Sequence, residues 1–298
     1  MPSELAGLRL DQALAKLAPE YSRSRLHSWI TDNKVRLDGK SCRAKQKVWG
    51  GESVDIEASP DPDEIPDVPQ QMDLSIIYED EFLIVLDKPA GLVVHPGSGN
   101  REGTLLNALL HHATALSSIP RAGIVHRLDK ETSGLMVVAK TLQSQTNLVR
   151  QLQARRVKRQ YVALVHGIVE REGTVDAPIG RHPLHRTKMA VVEKGKDART
   201  HFKVLRHFAG CTLLECMLES GRTHQIRVHM QHIGHPLVGD PVYGRKPLPS
   251  ANASRLAQFE RQALHARRLS FVHPESGELL EFESALPEDL ENLLGGLE

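Results

Sequence analysis

Residues 59–72 are the segment that most restricts the fold, because they can neither continue a helix nor fill a central strand. The segment reads Ser-Pro-Asp-Pro-Asp-Glu-Ile-Pro-Asp-Val-Pro-Gln-Gln-Met and holds four prolines and four acids. Each proline lacks a backbone N–H and fixes its own φ, so such a run stays extended. We therefore predict a semi-rigid linker at residues 59–73, between a small domain at 1–58 and a larger domain at 74–298.

The small domain is predicted to be an α+β unit of helices followed by short strands. Apolar residues at helical spacing predict the first helix: Leu10, Ala13, Leu14 and Leu17. Leu26 and Ile30 predict a second helix. Val35-Arg36-Leu37 is strand-like and is followed by Asp38-Gly39, a strong two-residue hairpin signal. Val54-Asp55-Ile56 predicts a last short strand.

The large domain mixes short strands and helices without regular alternation, which argues against a doubly wound sheet and favours an α+β fold. Strands are predicted at Leu74–Ile77, Phe82–Leu86, Leu92–Val94, Ile124–Leu128, Leu135–Ala139, Tyr161–Val165 and Thr212–Leu218. Helices are predicted from the capping residue Thr104 through Leu110, and over Gln143–Arg155.

Charge is segregated along a chain whose net charge is only +1. Residues 22–47 hold eight Lys or Arg and two acids, and residues 121–161 hold nine and two. Residues 275–298 hold eight acids and no Lys or Arg. The two basic regions favour a polyanionic partner, although an ordinary solvated surface has the same composition.

Other classes of protein receive little support. No apolar run approaches the ~20 residues of a membrane span, and the first residues do not resemble a signal peptide, so we expect a cytoplasmic protein. The three cysteines lack a Cys-x-x-Cys pair, and phosphate-loop, dinucleotide and nucleophile-elbow motifs are absent. Four histidines cluster without a partner at metal spacing, so no metal is predicted: His224, His229, His232 and His235.

The densest polar constellation runs from Gly123 to Gly134 and reads Gly-Ile-Val-His-Arg-Leu-Asp-Lys-Glu-Thr-Ser-Gly. An apolar strand is expected to bring Asp129 to a turn, and a second strand to leave after Gly134. A carboxylate held rigidly at the end of a buried strand suits a nucleophile or an acid–base group. Taken locally, an Asx turn in which Asp129 only organises the following loop is equally compatible with this pattern.

His126 to Gly134 resembles the signature of the RluA family of pseudouridine synthases, His-Arg-Leu-Asp, two residues, then Thr-Ser-Gly. The resemblance implies that Asp129 is the catalytic residue. Lys158-Arg159-Gln160-Tyr161 places the active-site tyrosine at Tyr161, and Gly221-Arg222-Thr223-His224-Gln225-Ile226-Arg227 places the active-site arginine at Arg222. Residues 88–96 and 235–244 are also similar to family sequence. The family implies a mixed, mainly antiparallel sheet, the pseudouridine synthase fold, and no cofactor.

The resemblance also implies roles for these residues. Asp129 would attack ribose C1′ or abstract a sugar proton, and Arg222 would pair with Asp129. Tyr161 would stack on the flipped base and help remove its C5 proton. Further contacts with RNA are expected from a larger set: His126, Arg127, Thr223, His224, Gln225, Arg23, Arg25, Lys40 and Lys45.

Residues 8–58 resemble an S4 RNA-binding domain, through Ser22-Arg23-Ser24-Arg25 and the hairpin near Gly39-Lys40. An S4 module, a linker and a catalytic domain in this order resemble the RluD subfamily, which acts on large-subunit (23S) ribosomal RNA. The expected partner is thus 23S rRNA, free or in the assembling large subunit, bound by a monomer. The alternatives are RluC-like or transfer-RNA specificity, and a non-catalytic RNA-binding protein.

Overall fold

A computed structural model describes residues 1–19, 21, 23–57, 67–97, 100–185, 187–246 and 249–297. The chain divides into two compact units, Met1–Pro66 and Asp67–Glu298. In the described ranges, no helix is both long and apolar enough to cross a membrane.

The N-terminal unit pairs two helices with a three-stranded antiparallel sheet. Its elements are α1 (Leu10–Leu17), α2 (Arg23–Thr31), β1 (Val35–Leu37), β2 (Lys40–Ser41) and β3 (Val54–Ile56). Strand β1 lies in the middle, with β2 and β3 on its two sides. The small core takes apolar residues from both helices and from β1: Leu10, Ala13, Leu14, Leu26, Trp29, Ile30, Val35 and Leu37. The helices and strands predicted here are confirmed.

The hairpin between β1 and β2 turns on two residues with left-handed backbone. Asp38 has φ 50° and Gly39 has φ 72°, and Leu37 pairs with Lys40 across the turn. A two-residue turn with positive φ at both positions matches the right-handed twist of the strands that it joins. The hairpin predicted from Asp38-Gly39 is confirmed.

The C-terminal unit is built on a nine-stranded sheet, as seen in the residues that the structure describes. Its strands are β4 (Ile76–Glu79), β5 (Leu83–Lys88), β6 (Ser133–Ala139), β7 (Lys158–His166), β8 (Gly173–Asp176), β11 (Arg199–Phe208), β12 (Cys211–Leu218), β13 (Leu264–Val272) and β14 (Leu279–Glu283). The order is β4-β5-β6-β13-β7-β12-β11-β8, and β14 also pairs with β13. Among the strands that the structure describes, only β6 and β13 pair in parallel. The predicted mixed, mainly antiparallel α+β fold is confirmed.

Helices and a small hairpin cover both faces of this sheet. They are α3 (Leu105–His112), α4 (Leu142–Gln153), α5 (Gln225–His232), α6 (Ala253–Ala257) and α7 (Glu288–Gly295), with β9 (Ile179–Arg181) paired to β10 (Met189–Val191). Alternate residues of β5 enter two different cores: Ile84 and Leu86 pack near α3, while Leu83 and Val85 pack near α4. Burial on both faces explains why β5 is apolar almost throughout.

The strand predicted at Ile124–Leu128 is wrong. Residues Pro120–Gly123 form a tight turn in which Arg121, Ala122 and Gly123 all have positive φ. Ile124 then makes a single bridge to Val138 of β6, and the chain leaves the sheet as a loop. A short apolar run does not distinguish a strand from a buried loop. Leu92–Val94 fails in the same way, because only Val93 forms a bridge.

The linker predicted at 59–73 falls partly outside the described residues, which resume at 67. From there, the chain is held against α3. Asn107 Nδ2 donates to Val68 O (2.8 Å), and Gln70 N donates to Asn107 O (3.0 Å). Residues 67–73 are thus tied by hydrogen bonds to the C-terminal unit.

Candidate active site

Asp129 lies on a tight turn that a buried lysine holds in place. Thr132 N donates to Asp129 O (3.0 Å), which closes the turn. The fully buried Lys88 donates from Nζ to Lys130 O (3.0 Å) and Leu92 O (3.0 Å). Burial lowers the pKa of Lys88 to about 8. The ammonium group joins two loops at the base of the site, so the position of Asp129 depends on backbone contacts rather than on an Asx turn.

The Thr-Ser-Gly end of the motif anchors this turn to strand β13 and the residues before it. Gln262 Nε2 donates to Thr132 Oγ1 (3.2 Å), and Ser133 Oγ is hydrogen-bonded to His265 Nδ1 (3.0 Å). At Gly134, φ is 116°, and a Cβ atom would lie 2.3 Å from Ala266 O. Only glycine allows β6 and β13 to approach so closely.

The carboxylate of Asp129 is paired with Arg227, on helix α5. Arg227 Nη1 donates to Asp129 Oδ2 (2.9 Å). The same guanidinium makes a two-point contact with the buried Asp240, from Nε to Oδ2 (2.7 Å) and from Nη2 to Oδ1 (2.9 Å). Two-point contacts of this kind fix the plane of the guanidinium group. Asp240 therefore orients Arg227, and Arg227 orients Asp129.

The predicted pairing of Arg222 with Asp129 is corrected to Arg227. Arg222 is exposed and donates from Nε to the backbone oxygen of Asp197 (3.0 Å). His224, which precedes α5, has left-handed backbone with φ 57°. The chain reverses there, so Arg222 stays outside while Arg227 enters the buried face of the helix. Both arginines belong to the motif quoted from the sequence, and the helix start that distinguishes them has no cap signal of its own.

Arg227 and Asp240, the buried residues of this charged group, form an ionised pair. Burial alone would raise the pKa of Asp240, but Arg227 and the backbone N–H groups of Tyr243 and Val242 outweigh burial and hold the pKa below its usual value. Burial opposes the charge on Arg227, yet Asp240 and Asp129 raise its pKa. The site thus keeps a permanent positive charge beside the Asp129 carboxylate, which is 17% exposed.

His224 and Tyr243 form the second wall of the site, and sequence reasoning missed Tyr243 as it missed Asp240. Met189 N donates to the Tyr243 hydroxyl oxygen (2.8 Å), which is 2.8 Å from His224 Nδ1. When the Tyr243 hydroxyl donates to Nδ1, the neutral ring carries its proton on Nε2, 3.9 Å from Asp129 Oδ1. Burial lowers the pKa of His224, although the charge of Asp129 raises it. Arg227 also lies over the Tyr243 ring at 5.1 Å.

Tyr161 lies on β7, between Cys216 of β12 and Ala266 of β13. It is 6% exposed. Burial raises the pKa of its hydroxyl, Arg159 lowers it, and the charge of Asp129 raises it further. The structure therefore places Tyr161 within electrostatic range of Asp129, with its phenol protonated near neutral pH.

Two residues expected to contact RNA are structural instead. His126 Nε2 accepts a hydrogen bond from Val137 N of β6 (3.1 Å). Val137 lies beyond the part of β6 that pairs with β13. Burial lowers the pKa of His126 to about 3. Gln225 is buried. Its Oε1 accepts from Ser220 and Arg222, and its Nε2 donates to Arg199 O and Thr200 Oγ1. Both side chains thus satisfy polar groups of the fold itself.

The other expected RNA contacts have different exposures. Arg127 and Thr223 are exposed in the C-terminal unit, and Lys40 and Lys45 in the N-terminal unit. Arg23 is half-exposed but donates to the buried Asp11 (2.8 Å). The side chain of Arg25 lies outside the described residues.

Three of the four clustered histidines have hydrogen-bond partners outside the cluster. His224 contacts the Tyr243 hydroxyl, His229 contacts Thr200 Oγ1 (2.9 Å) and Ala177 O (3.0 Å), and His235 Nδ1 contacts His166 O (2.9 Å). Among the described ranges, no group of three or more His, Cys, Asp or Glu side chains could hold a metal ion.

Comparison with known proteins shows the family to which the chain that carries this site belongs. Residues 82–232, which include Asp129, Tyr161 and Arg227, match the family described as RNA pseudouridylate synthase. The chain is 58% identical over 294 residues to the ribosomal large subunit pseudouridine synthase D of Nitrosomonas europaea, covering 99% of this chain and 86% of that protein. It is 54% identical to the protein of the same description from Pseudomonas aeruginosa, covering 97% and 92%.

Solved structures agree with this assignment. Human RNA pseudouridylate synthase domain containing 4 superposes with a TM-score of 0.59 at 27% identity, covering 75% of this chain and 92% of that one. Human RNA pseudouridylate synthase domain containing 1 gives 0.57 at 26% identity, covering 76% and 94%. The chain therefore belongs to the RNA pseudouridylate synthase family and is an RNA pseudouridine synthase.

Proposed function

We propose that this enzyme isomerises specific uridines of large-subunit (23S) ribosomal RNA to pseudouridine, with Asp129 as the catalytic residue. The observation that carries the proposal is the contact of Asp129 with Arg227, which is itself fixed by Asp240. The substrate is inferred from relatives that are named for the large ribosomal subunit and that are 58% and 54% identical to this chain over the aligned residues. We further propose that the protein acts as a cytoplasmic monomer on the assembling subunit.

The reaction moves a bond and needs neither an oxidant nor a group donor. The bond from ribose C1′ to uracil N1 breaks, the base rotates, and C5 bonds to C1′ while the C5 proton leaves and N1 gains a proton. Two starting steps are open to the carboxylate of Asp129. It can attack C1′ and leave again when C5 attacks, or it can abstract a sugar proton that later returns.

The other residues act around this carboxylate. Arg227 holds one carboxylate oxygen of Asp129 and leaves the other free to face the ribose. Tyr161 stacks on the flipped uracil, and its hydroxyl, which is protonated near neutral pH, relays the C5 proton by taking it up as it gives its own proton away. Arg127 is exposed beside Asp129 in sequence and contacts the displaced RNA. His224 contributes a neutral N–H on the other side of the carboxylate.

The first test is tritium release from rRNA labelled at uridine C5, because forming the new C–C bond must expel that hydrogen. We expect the wild-type protein to release tritium and Asp129→Asn to release none while still binding RNA. Asn keeps the size of the side chain, so loss of turnover reports loss of the carboxylate. Turnover by the variant near the wild-type rate would rule out Asp129 as the catalytic group.

We also propose that the N-terminal unit binds rRNA as an S4-like module. The exposed Lys40 and Lys45 support an electrostatic contact with phosphate groups. Each phosphate that a cation neutralises releases counterions, so removing residues 1–58 should reduce both the affinity for rRNA and its dependence on salt. An unchanged dependence on salt would show that this unit is not an electrostatic docking module.

A further inference from the structure

Arg159 is a buried cation that has no counter-charge among the described residues. The residue is 9% exposed, and its Nε atom is buried without a hydrogen-bond partner. Among the described residues, no carboxylate forms an ion pair with it. Burying an unpaired charge costs several kcal/mol, and natural proteins seldom tolerate it without a use.

The strand places this guanidinium beside the catalytic residues. Arg159 and Tyr161 are two residues apart on β7, so their side chains leave the same face of the sheet. The positive charge of Arg159 lowers the pKa of both Tyr161 and His126. Arg159 thus lies on the same face of β7 as Tyr161, whose pKa is also raised by the charge of Asp129.

The loop ahead of α5 leaves room for the guanidinium. A Cβ atom on Gly221 would lie 2.8 Å from Arg159 Nη1. Glycine at this position lets the arginine lie flat against the loop, one residue before Arg222. The guanidinium therefore lies against the loop that leads to Arg227.

We propose that Arg159 binds a phosphate group of the substrate RNA next to the target uridine. A phosphate carries a full negative charge, which no described carboxylate provides to Arg159. The carbonyl oxygens of uracil are neutral and do not provide it. Its oxygens also match the planar fork of a guanidinium group. The proposal rests on the assignment of the active site to Asp129 and Tyr161. By binding the neighbouring phosphate, Arg159 positions the target uridine at these residues.

The test is binding of a large-subunit rRNA transcript to the full chain in the Asp129→Asn background, over a range of salt concentrations. Adding Arg159→Gln should weaken binding about tenfold or more at low salt, the effect of losing a charged hydrogen bond. The slope of log K against log salt should fall by about one. Arg159→Lys should keep the slope, because the charge remains, but not the full affinity. An unchanged slope in Arg159→Gln, or equal behaviour of the two variants, would overturn the proposal.

Two controls separate binding from folding and from charge. Arg268→Gln also removes one positive charge, but Arg268 is half-exposed and paired with Glu283 (3.0 Å), so the slope should hold. If it drops equally, the effect is not specific to Arg159. The melting temperature of Arg159→Gln without RNA should equal or exceed that of the parent, because an unpaired buried charge is removed. A clear fall would show that Arg159 stabilises the apo fold instead.

Turnover gives an independent readout. With Asp129 intact, Arg159→Gln should raise KM and leave kcat largely unchanged, as expected for a contact present in both ground and transition states. A fall in kcat at constant KM would place Arg159 on the reacting base and overturn the phosphate assignment. If the Asp129 assignment is wrong, Asp129→Asn will retain turnover. The binding assay for Arg159 does not depend on that result.

Discussion

At the scale of single residues, the site depends on one guanidinium that serves two carboxylates. Asp240 is buried and takes two hydrogen bonds from Arg227, whereas Asp129 takes one and stays partly open to solvent. The unequal sharing has a consequence for chemistry. Asp240 is locked as an anion for structural reasons, and Asp129 keeps lone pairs free for substrate. Two carboxylates of the same type thus differ in role because of burial and of the number of contacts.

Comparing Arg227→Gln with Arg222→Gln tests which arginine belongs to the active site. Arg227→Gln leaves the buried Asp240 without its cation, so we expect a loss of about 3–5 kcal/mol of stability. Misplacement of Asp129 should lower kcat by about 100-fold or more. Arg222→Gln loses only a hydrogen bond to a backbone oxygen, so kcat and stability should change little. Tritium release and urea unfolding measure both quantities, and a larger loss of kcat in Arg222→Gln would restore the original assignment from sequence.

Residue identity in the sequence predicted Asp129 and Tyr161 as site candidates, but not the contacts that surround them. Arg222 and Arg227 lie in the same motif, and nothing in the letters shows that the chain reverses at His224. Helix α5 is buried on nearly all sides from Gln225 to Met230, so it has no polar face that would mark which residue points where. Asp240 and Tyr243 lie far along the chain from Asp129 and could be joined to it only by the fold.

At the scale of elements, the sequence predicted the helix start and the turn that are determined by neighbouring residues. Helix α3 begins where Thr104 caps it, accepting a hydrogen bond from Asn107 N, and the β1–β2 turn forms at Asp38-Gly39. Ile124–Leu128 failed because its apolar side chains are buried by tertiary contacts rather than by a ladder. The sharp turn before it cannot be read from the sequence, since Arg121 and Ala122 adopt a left-handed backbone that their side chains disfavour.

Gly123 tests the idea that this turn is fixed by close contact with β6. A Cβ atom there would lie 1.8 Å from Ala139 O, so Gly123→Ala should cost about 4 kcal/mol or more, a size that is rare for single substitutions. Gly277 is the matched control, because it has nearly the same φ, 76° against 78°, with nothing within 4 Å of its Cβ position. Gly277→Ala should cost only the left-handed strain, about 1–2 kcal/mol. Equal losses in thermal or urea unfolding would show that strain alone, not the contact, demands glycine.

At the scale of the whole molecule, the C-terminal unit buries several histidines around a sheet that is covered on both faces. Burial lowers the pKa of His95 to about 4 and of His126 to about 3, and it also lowers the pKa of other histidines. These others are His166, His229 and His265. The sequence predicted none of this, because a histidine in a buried loop and one on a surface look alike. The family resemblance directed attention to RNA contacts, whereas the fold uses most of these rings as neutral hydrogen-bonding groups.

The buried histidines predict that the protein loses stability in mild acid. Each binds a proton in the unfolded chain near pH 6.5 but resists doing so in the folded chain, so the unfolded state binds more protons as the pH falls. Their contribution is therefore present above about pH 6.5 and is lost as the pH falls below it, down to about pH 4 for His95 and about pH 3 for His126, at up to about 1.4 kcal/mol per pH unit for each ring. Replacing His126 by Gln, whose Oε1 can still accept from Val137 N, removes one titrating group next to the charged Arg159. Urea unfolding between pH 7.5 and 4.5 should then show a slope of the unfolding free energy against pH that is smaller by about one proton than in the wild type. An equal slope in the two proteins would mean that His126 is protonated alike in the folded and unfolded chains, which would contradict a neutral His126 ring in the folded protein.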